Sequence, residues 1–446
     1  MNFFSSLKAH SRSHIGIFLL SLIFLISAFN YALIRDTKDA LLLTQPGSSA
    51  ETIATLKSLS SWVQSGFFVV CVGLFYKTQK LPLITLSLMG VTLLGGALTL
   101  LLALLNQGGD TLIFIKIFYI IASLWGGFIF GFLLFALANS LFNVTQARYA
   151  YPLILIMINL GGFLGGYSFL LRSQNAIDAD LQAGLAKMLS PTMVLSFIFL
   201  CLCFYGLNRF PIPLLEKKPS KALSLKVSEQ VKYLFWIGLI LVSVTLLTTL
   251  ISLYFKTELR RVFMDATSYS DFVGEYARLS GLYMTYGSIP ALFILWILPW
   301  RFSALLGPIL TILGLGVVLL IHQHPSVLER FLSPETLETA QIFFWSTAFF
   351  NILLGTIKGT LFRVTTEMLY IPLPSHTKFF SKGVIDLFLI QGVTALIPVW
   401  LSLNPTLLSN PESSVVLYGA LIMSVMWFGS VLIIAPTFKK LETAKA

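Results

Sequence analysis

The residues best placed to do chemistry are cations set inside or beside apolar runs: Arg35, Lys38, Lys256, Lys358 and Lys382. A lysine or arginine at bilayer depth costs at least ~2.5–3.5 kcal/mol on insertion scales, so such a residue must be paired, reach the interface or line a wet cavity. Arg35 and Lys38 are three apart in "NYALIRDTKDALLL", with Asp39 four after Arg35 and Asp36 at the edge of the same helical face. Because the chain stays apolar to Leu43, the helix is expected to run on past the charges; the plainer reading is an interfacial helix end. Lys256 and Arg260 share a face at spacing four. Lys358 sits within "FNILLGTIKGTLFRV", where its long stem could also reach for the interface. Lys378 and Lys382 precede an apolar run in "SHTKFFSKGVIDLF", and Lys382 is the one placed to enter a cavity. Lysine point charges with an arginine fork suit an anionic, multiply charged substrate carrying phosphate oxygens. A planar base would need an aromatic face. Tyr31, Trp125 and Tyr283 are candidates, with Asn139 and Asn159 as polar contacts, but so many aromatics are present that composition selects none.

Other patterns carry less. The glycines of "GGFLGG" (161–166) are four apart, the spacing of close helix contact; no lysine or strand follows as a phosphate loop needs. His322 and His324 lack a nearby carboxylate or cysteine set, and no serine–histidine–acid spacing is readable, so neither metal, cofactor nor enzymatic activity is expected. Cys71, Cys201 and Cys203 lie in apolar runs and read as small core residues.

Composition fixes what must hold these cations. The chain has 446 residues, 56% apolar and 11% charged, with a mean hydropathy of +0.85. A soluble chain needs roughly a quarter of its residues charged, so a polytopic membrane protein follows. The net charge of +11 has no soluble basic domain through which to meet nucleic acid. Apolar runs of about 20 residues mark membrane helices. They fall near 15–34, 59–76, 82–105, 112–143, 150–171, 189–207, 233–254, 278–299, 302–321, 340–362, 384–402 and 413–436. No small-residue cleavage site follows the first run, so a retained helix is expected there. The longest polar connection, 208–232, separates six helices (1–207) from six (233–446). Most lysines and arginines fall on the side of the amino terminus, which makes both termini and the basic linker cytoplasmic. The expected fold is all-α and major-facilitator-like, with two six-helix halves moving about a midplane site. Helix one ends in "ALIRDTKDAL" and helix seven in "SLYFKTELRRVF", a faint echo between the halves.

Three stretches resemble the bacterial and plastid ADP/ATP carrier family: "FNYALIRDTKDALLLTQPGSSAETIATLK" (29–57), "ASLWGGFIFGFLLFALANSLFNVTQARYAYPLI" (122–154) and "LFRVTTEMLYIPLPSHTKFFSKGVID" (361–386). The resemblance implies a twelve-helix carrier of adenine or other nucleotides working by exchange or proton symport. It places the family's functional lysines at Lys38 and Lys382. It also implies a monomer in a bacterial inner membrane, with nucleotide and lipid as partners. The sequence departs from the family where two glutamates are usual, at Ser123 and, on a looser alignment, Ser252. The stretch after the third motif reads "LFLIQGVTALIP" in place of a glycine-lysine-serine-glycine-glycine run. Proton coupling through positions 123 and 252 is thereby excluded, while Asp36, Asp39, Glu367 and Asp386 remain. The expected function is ATP/ADP exchange by alternating access; the alternatives are a carrier of another phosphorylated metabolite such as NAD, and a lipid scramblase.

Overall fold

The computed structural model describes residues 2–43, 56, 58–70, 83–105, 111–175, 181–210, 227–262, 266–324, 339–402 and 414–445. Most of the 208–232 linker lies outside them. The described residues form twelve helices and no strand. They are α1 (Asn2–Leu43), α2 (58–70), α3 (Leu83–Leu105), α4 (111–141), α5 (Val144–Asn175) and α6 (Leu181–Arg209), followed by α7 (Val227–Val262), α8 (Ala266–Ile297), α9 (Trp300–Gln323), α10 (339–370), α11 (375–402) and α12 (Val415–Lys445). Among the described residues, ten helices are long and apolar enough to cross a membrane; α2 and α10 are the other two. Their outer faces confirm the solvent they meet. Large apolar side chains such as Leu93 (69% exposed) and Ile297 (74% exposed) stand uncovered along many helices, which only lipid tolerates on this scale.

Contacts divide the chain into two compact units, one of Met1–Ala222 with Tyr370–Gly392 and Lys445–Ala446, the other of Leu223–Leu369 with Val393–Ala444. In the first unit α1 is central, with Leu20, Ile23, Phe24 and Leu33 fully buried. The glycine pair four apart does what its spacing suggested. A Cβ on Gly161 would collide with the carbonyl oxygen of Leu25, and one on Gly165 with that of Phe29, so α5 lies backbone to backbone on α1. The α4–α5 corner is set locally. Phe142 turns extended, and in "NVTQ" the Gln146 N–H donates to Asn143 Oδ1 (2.7 Å) while the Asn143 N–H donates to Gln146 Oε1 (3.2 Å). That reciprocal pair satisfies two of the donors a helix start leaves open.

In the second unit α10 is clamped by neighbouring side chains that take its backbone carbonyls. The Trp300 indole N–H donates to Thr365 (2.9 Å) and the Tyr233 hydroxyl to Leu369 (2.9 Å). Trp427 meets Phe362 edge-on at 5.3 Å. At the far end of α7, Phe255, Leu259, Phe344 and Ala348 form a small buried cluster. Prolines then punctuate the chain: "YIPLPS" stops α10 and opens α11, with Pro374 extended and its carbonyl accepting from the Lys378 N–H (2.8 Å).

Among the described residues, three helices contain π-helical turns: Trp125–Leu133 in α4, Lys358–Phe362 in α10 and Val384–Leu389 in α11. Each inserts extra residues per turn at the expense of regular hydrogen bonding, a feature that concentrates at functional positions. The first begins on Trp125, the second on Lys358, and the third follows Lys382 by two residues.

Candidate functional site

On α1 the candidate residues form a ladder. Tyr31 lies half-buried, stacked on Phe130 of α4 (centroids 5.5 Å, planes 17° apart). A Cβ on Gly126, in the first π turn, would overlap the Tyr31 ring, so glycine there is what lets the ring lie against α4. One turn on, the exposed Arg35 guanidinium sits 6.0 Å from the Tyr31 ring centre. Three residues further, Lys38 Nζ lies 3.8 Å from the centre of the buried Tyr119 ring on α4. An aromatic face attracts an ammonium through its quadrupole, and so helps to hold the charge. Ser123 turns its hydroxyl back to the Tyr119 carbonyl (2.8 Å), and its own carbonyl accepts from Gln64 Nε2 (3.2 Å). Gln64 is buried against Gly127, and its Oε1 has no hydrogen-bond partner among the described residues.

A second group surrounds the start of α11, also within the first unit. Lys382 is completely buried, its Nζ 2.6 Å from Asp386 Oδ2. The Tyr370 ring lies 4.9 Å and the Phe135 ring 5.8 Å from the same ammonium. The Tyr370 hydroxyl donates to Asp386 Oδ1 at 3.4 Å. Lys378 reaches the backbone carbonyl of Asn139 (2.9 Å), while the Asn139 side chain accepts from the Tyr151 hydroxyl. Ser65 of α2 donates to the carbonyl of Leu387 (2.8 Å), a residue of the third π turn.

Lys358 is exposed at the first residue of its π turn, and its Nζ donates to Thr248 Oγ1 at 3.1 Å. The Lys256 backbone is helical, but its side chain lies outside the described residues, as do those of Asp36 and Asp39. Glu258 is buried on the same helix. One turn beyond the π segment of α10, Glu367 pairs with Arg363 at 3.5 Å.

The structure therefore brings Tyr31, Arg35 and Lys38 together along one face with α4, and separately seats Lys382 and Lys378 beside Asp386 and Asn139. Trp125 is in neither group: it is fully buried, its indole N–H directed at the Ser27 carbonyl (3.4 Å) and its ring edge-on to Phe197. Asn159 is half-buried on α5. His322 meets the Tyr254 hydroxyl at 3.3 Å. Sequence reasoning missed Tyr119, Gln64 and Tyr370. Tyr370 had a signal, since it belongs to the motif at 367–373; the other two are ordinary residues of apolar helices whose role comes from what they face.

Residues 3–82 and 113–434 match the family model described as TLC ATP/ADP transporter. The chain is 28% identical over 429 residues to ADP,ATP carrier protein 3 of Rickettsia conorii, covering 84% of each. It is 25% identical over 417 residues to ADP,ATP carrier protein 1 of Chlamydia trachomatis serovar D, covering 82% of this chain and 77% of that one. Against the chloroplastic ADP,ATP carrier protein 1 of Arabidopsis thaliana it is 25% identical over 410 residues, covering 82% of this chain but only 64% of the relative. Among solved structures it resembles a bacterial homologue of the iron transporter ferroportin in an outward-facing state (TM-score 0.65, 14% identity, 95% and 99% covered). It also resembles the major facilitator superfamily transporter FucP in an outward conformation (TM-score 0.61, 14% identity, 95% and 98% covered). These two likenesses establish the major-facilitator-like fold and nothing finer.

Proposed function

The chain belongs to the TLC ATP/ADP transporter family, and from that premise we propose that it is a nucleotide carrier, exchanging ATP for ADP across a bacterial inner membrane. The observation that carries this reading is the family match over most of the chain. It is supported by Lys38 and Lys382, the two positions the family resemblance marks, each lying over an aromatic ring, Tyr119 and Tyr370 respectively. Arg35, Lys38 and Lys382 bind phosphate oxygens, and Lys256 and Lys358 are further candidates for the same chemistry. Tyr31, with Arg35 one turn away, offers the face for a base; Asn139 positions Lys378 through its carbonyl. The halves 1–207 and 233–446, joined by a cytoplasmic linker at 208–232, alternate access to the substrate. Both termini face the cytoplasm, and the carrier works as a monomer.

Ser123 and the unpartnered Gln64 Oε1 favour a second reading, in which the same fold takes another phosphorylated metabolite, because a neutral, hydrogen-bonding wall replaces a carboxylate. Proteoliposomes loaded with ADP and offered labelled ATP, GTP, UTP or NAD decide. Entry of ATP with competition by ADP is expected. Preference for NAD would move the substrate assignment, and failure of all four above background would end the nucleotide reading. Movement of fluorescent lipid between leaflets without solute entry would mark a scramblase.

A further inference from the structure

Lys382 is sealed from solvent, yet its ammonium must be available to a substrate phosphate if the nucleotide-carrier reading on which this inference rests is right. We propose that Asp386 is the internal counter-ion of Lys382, holding the ammonium in the unloaded carrier and giving it up to the substrate's phosphate. A buried ammonium left without an anion is costly, and the carboxylate at 2.6 Å supplies that anion from one helical turn away. The two members of the pair differ in a way that suits exchange. Lys382 is enclosed by Tyr370 and Phe135 and has nowhere to go. Asp386 is partly exposed (16% for its side chain), and the contact from the Tyr370 hydroxyl to its second oxygen is long, at 3.4 Å. The carboxylate is therefore the member that can swing away while the lysine stays.

Its place in the chain adds to this. Asp386 lies in the first turn of the π segment Val384–Leu389, whereas Lys382 lies in the regular α turn before it. The angular offset between the two side chains depends on that junction, so any relaxation of the π turn toward α geometry moves the carboxylate relative to the ammonium. The Ser65 hydroxyl, bonded to the Leu387 carbonyl, holds the segment in its present form. Phosphate then competes with Asp386 for one ammonium. The carboxylate sets affinity low enough for release, and it acts as a positioning residue through Lys382 instead of touching substrate.

Equilibrium binding of labelled ATP to the purified carrier tests this, alongside exchange rates in ADP-loaded proteoliposomes. Asp386→Asn is expected to tighten binding about tenfold, since a charge-assisted hydrogen bond no longer has to be displaced. Exchange at saturating ATP is expected to slow as release becomes limiting. In a Lys382→Gln background the same substitution is expected to change binding by less than about twofold, which a merely structural effect of Asp386 would not do. Unchanged or weaker binding in Asp386→Asn, or an equal shift in both backgrounds, overturns the proposal. Should Asp386→Asn not reach the membrane, Asp386→Glu takes its place: with the charge kept, affinity within about twofold of wild type is expected, and tenfold tightening would overturn the idea. Wild-type binding and uptake of ATP report on the carrier assignment by themselves, so the two failures are separable.

Discussion

Replacing Gly161 or Gly165 by alanine tests whether α1 is seated on α5 by backbone contact, and with it the placement of Arg35 and Lys38. A Cβ at position 161 would lie 3.0 Å from the carbonyl carbon of Leu25 and 3.2 Å from the Ala28 methyl, and closer still to the Leu25 oxygen. One at 165 would lie 2.9 Å from the Ala32 methyl and 3.2 Å from the Phe29 carbonyl carbon. Ordinary contact begins at 3.4 Å, and the obstacle is a helix backbone that cannot step aside as a side-chain tip can. The helices must open by roughly 0.5–1 Å, a gap that forfeits a quarter to a half of the dispersion attraction along the seam. Each substitution should cost about 1–3 kcal/mol and lower the thermal midpoint of the purified carrier by roughly 1–3 °C. Because both act through one separation, the double variant should cost less than the sum. Gly162→Ala is the control: nothing lies within 4 Å of its Cβ, so the midpoint should hold or rise. Midpoints of Gly161→Ala and Gly162→Ala that coincide would refute the argument. In transport, Gly165→Ala should raise KM, since the displaced helix carries Tyr31, Arg35 and Lys38.

Two further outcomes follow from the cations. Lys38→Ala should abolish ATP uptake, whereas Tyr119→Phe, which keeps the ring, should leave it near wild type. Tyr119→Leu removes a cation–π contact of about 0.5–2 kcal/mol and should raise KM by roughly 2–30-fold; equal behaviour of the two Tyr119 variants would show that the ring is only filler. Thr248→Val should alter KM mildly and Lys358→Gln strongly in the same uptake assay, because the hydroxyl only steadies an ammonium that is itself exposed; wild-type uptake by Lys358→Gln would make Lys358 an interfacial residue.

The twelve apolar runs, the glycines four apart and the cations out of place in them were all readable in one dimension. Hydropathy reports the transfer cost of each residue, and a helix repeats that cost along a single axis. Even the four-residue spacing of Lys382 and Asp386 stands in the sequence, although their burial does not. Tertiary structure decided what each helix turns toward its neighbours: Tyr119 beneath Lys38, Gln64 against Gly127, and Trp125 sealed in the core when its residue type had suggested a binding face. It also decided that 370–392, late in the chain, belongs with the first unit, and that three helices carry π turns. The physical reason is rotational. A helix hides or presents a side chain according to its angle about its own axis, and that angle is fixed by contacts with residues far away in sequence, which neither hydropathy nor spacing records.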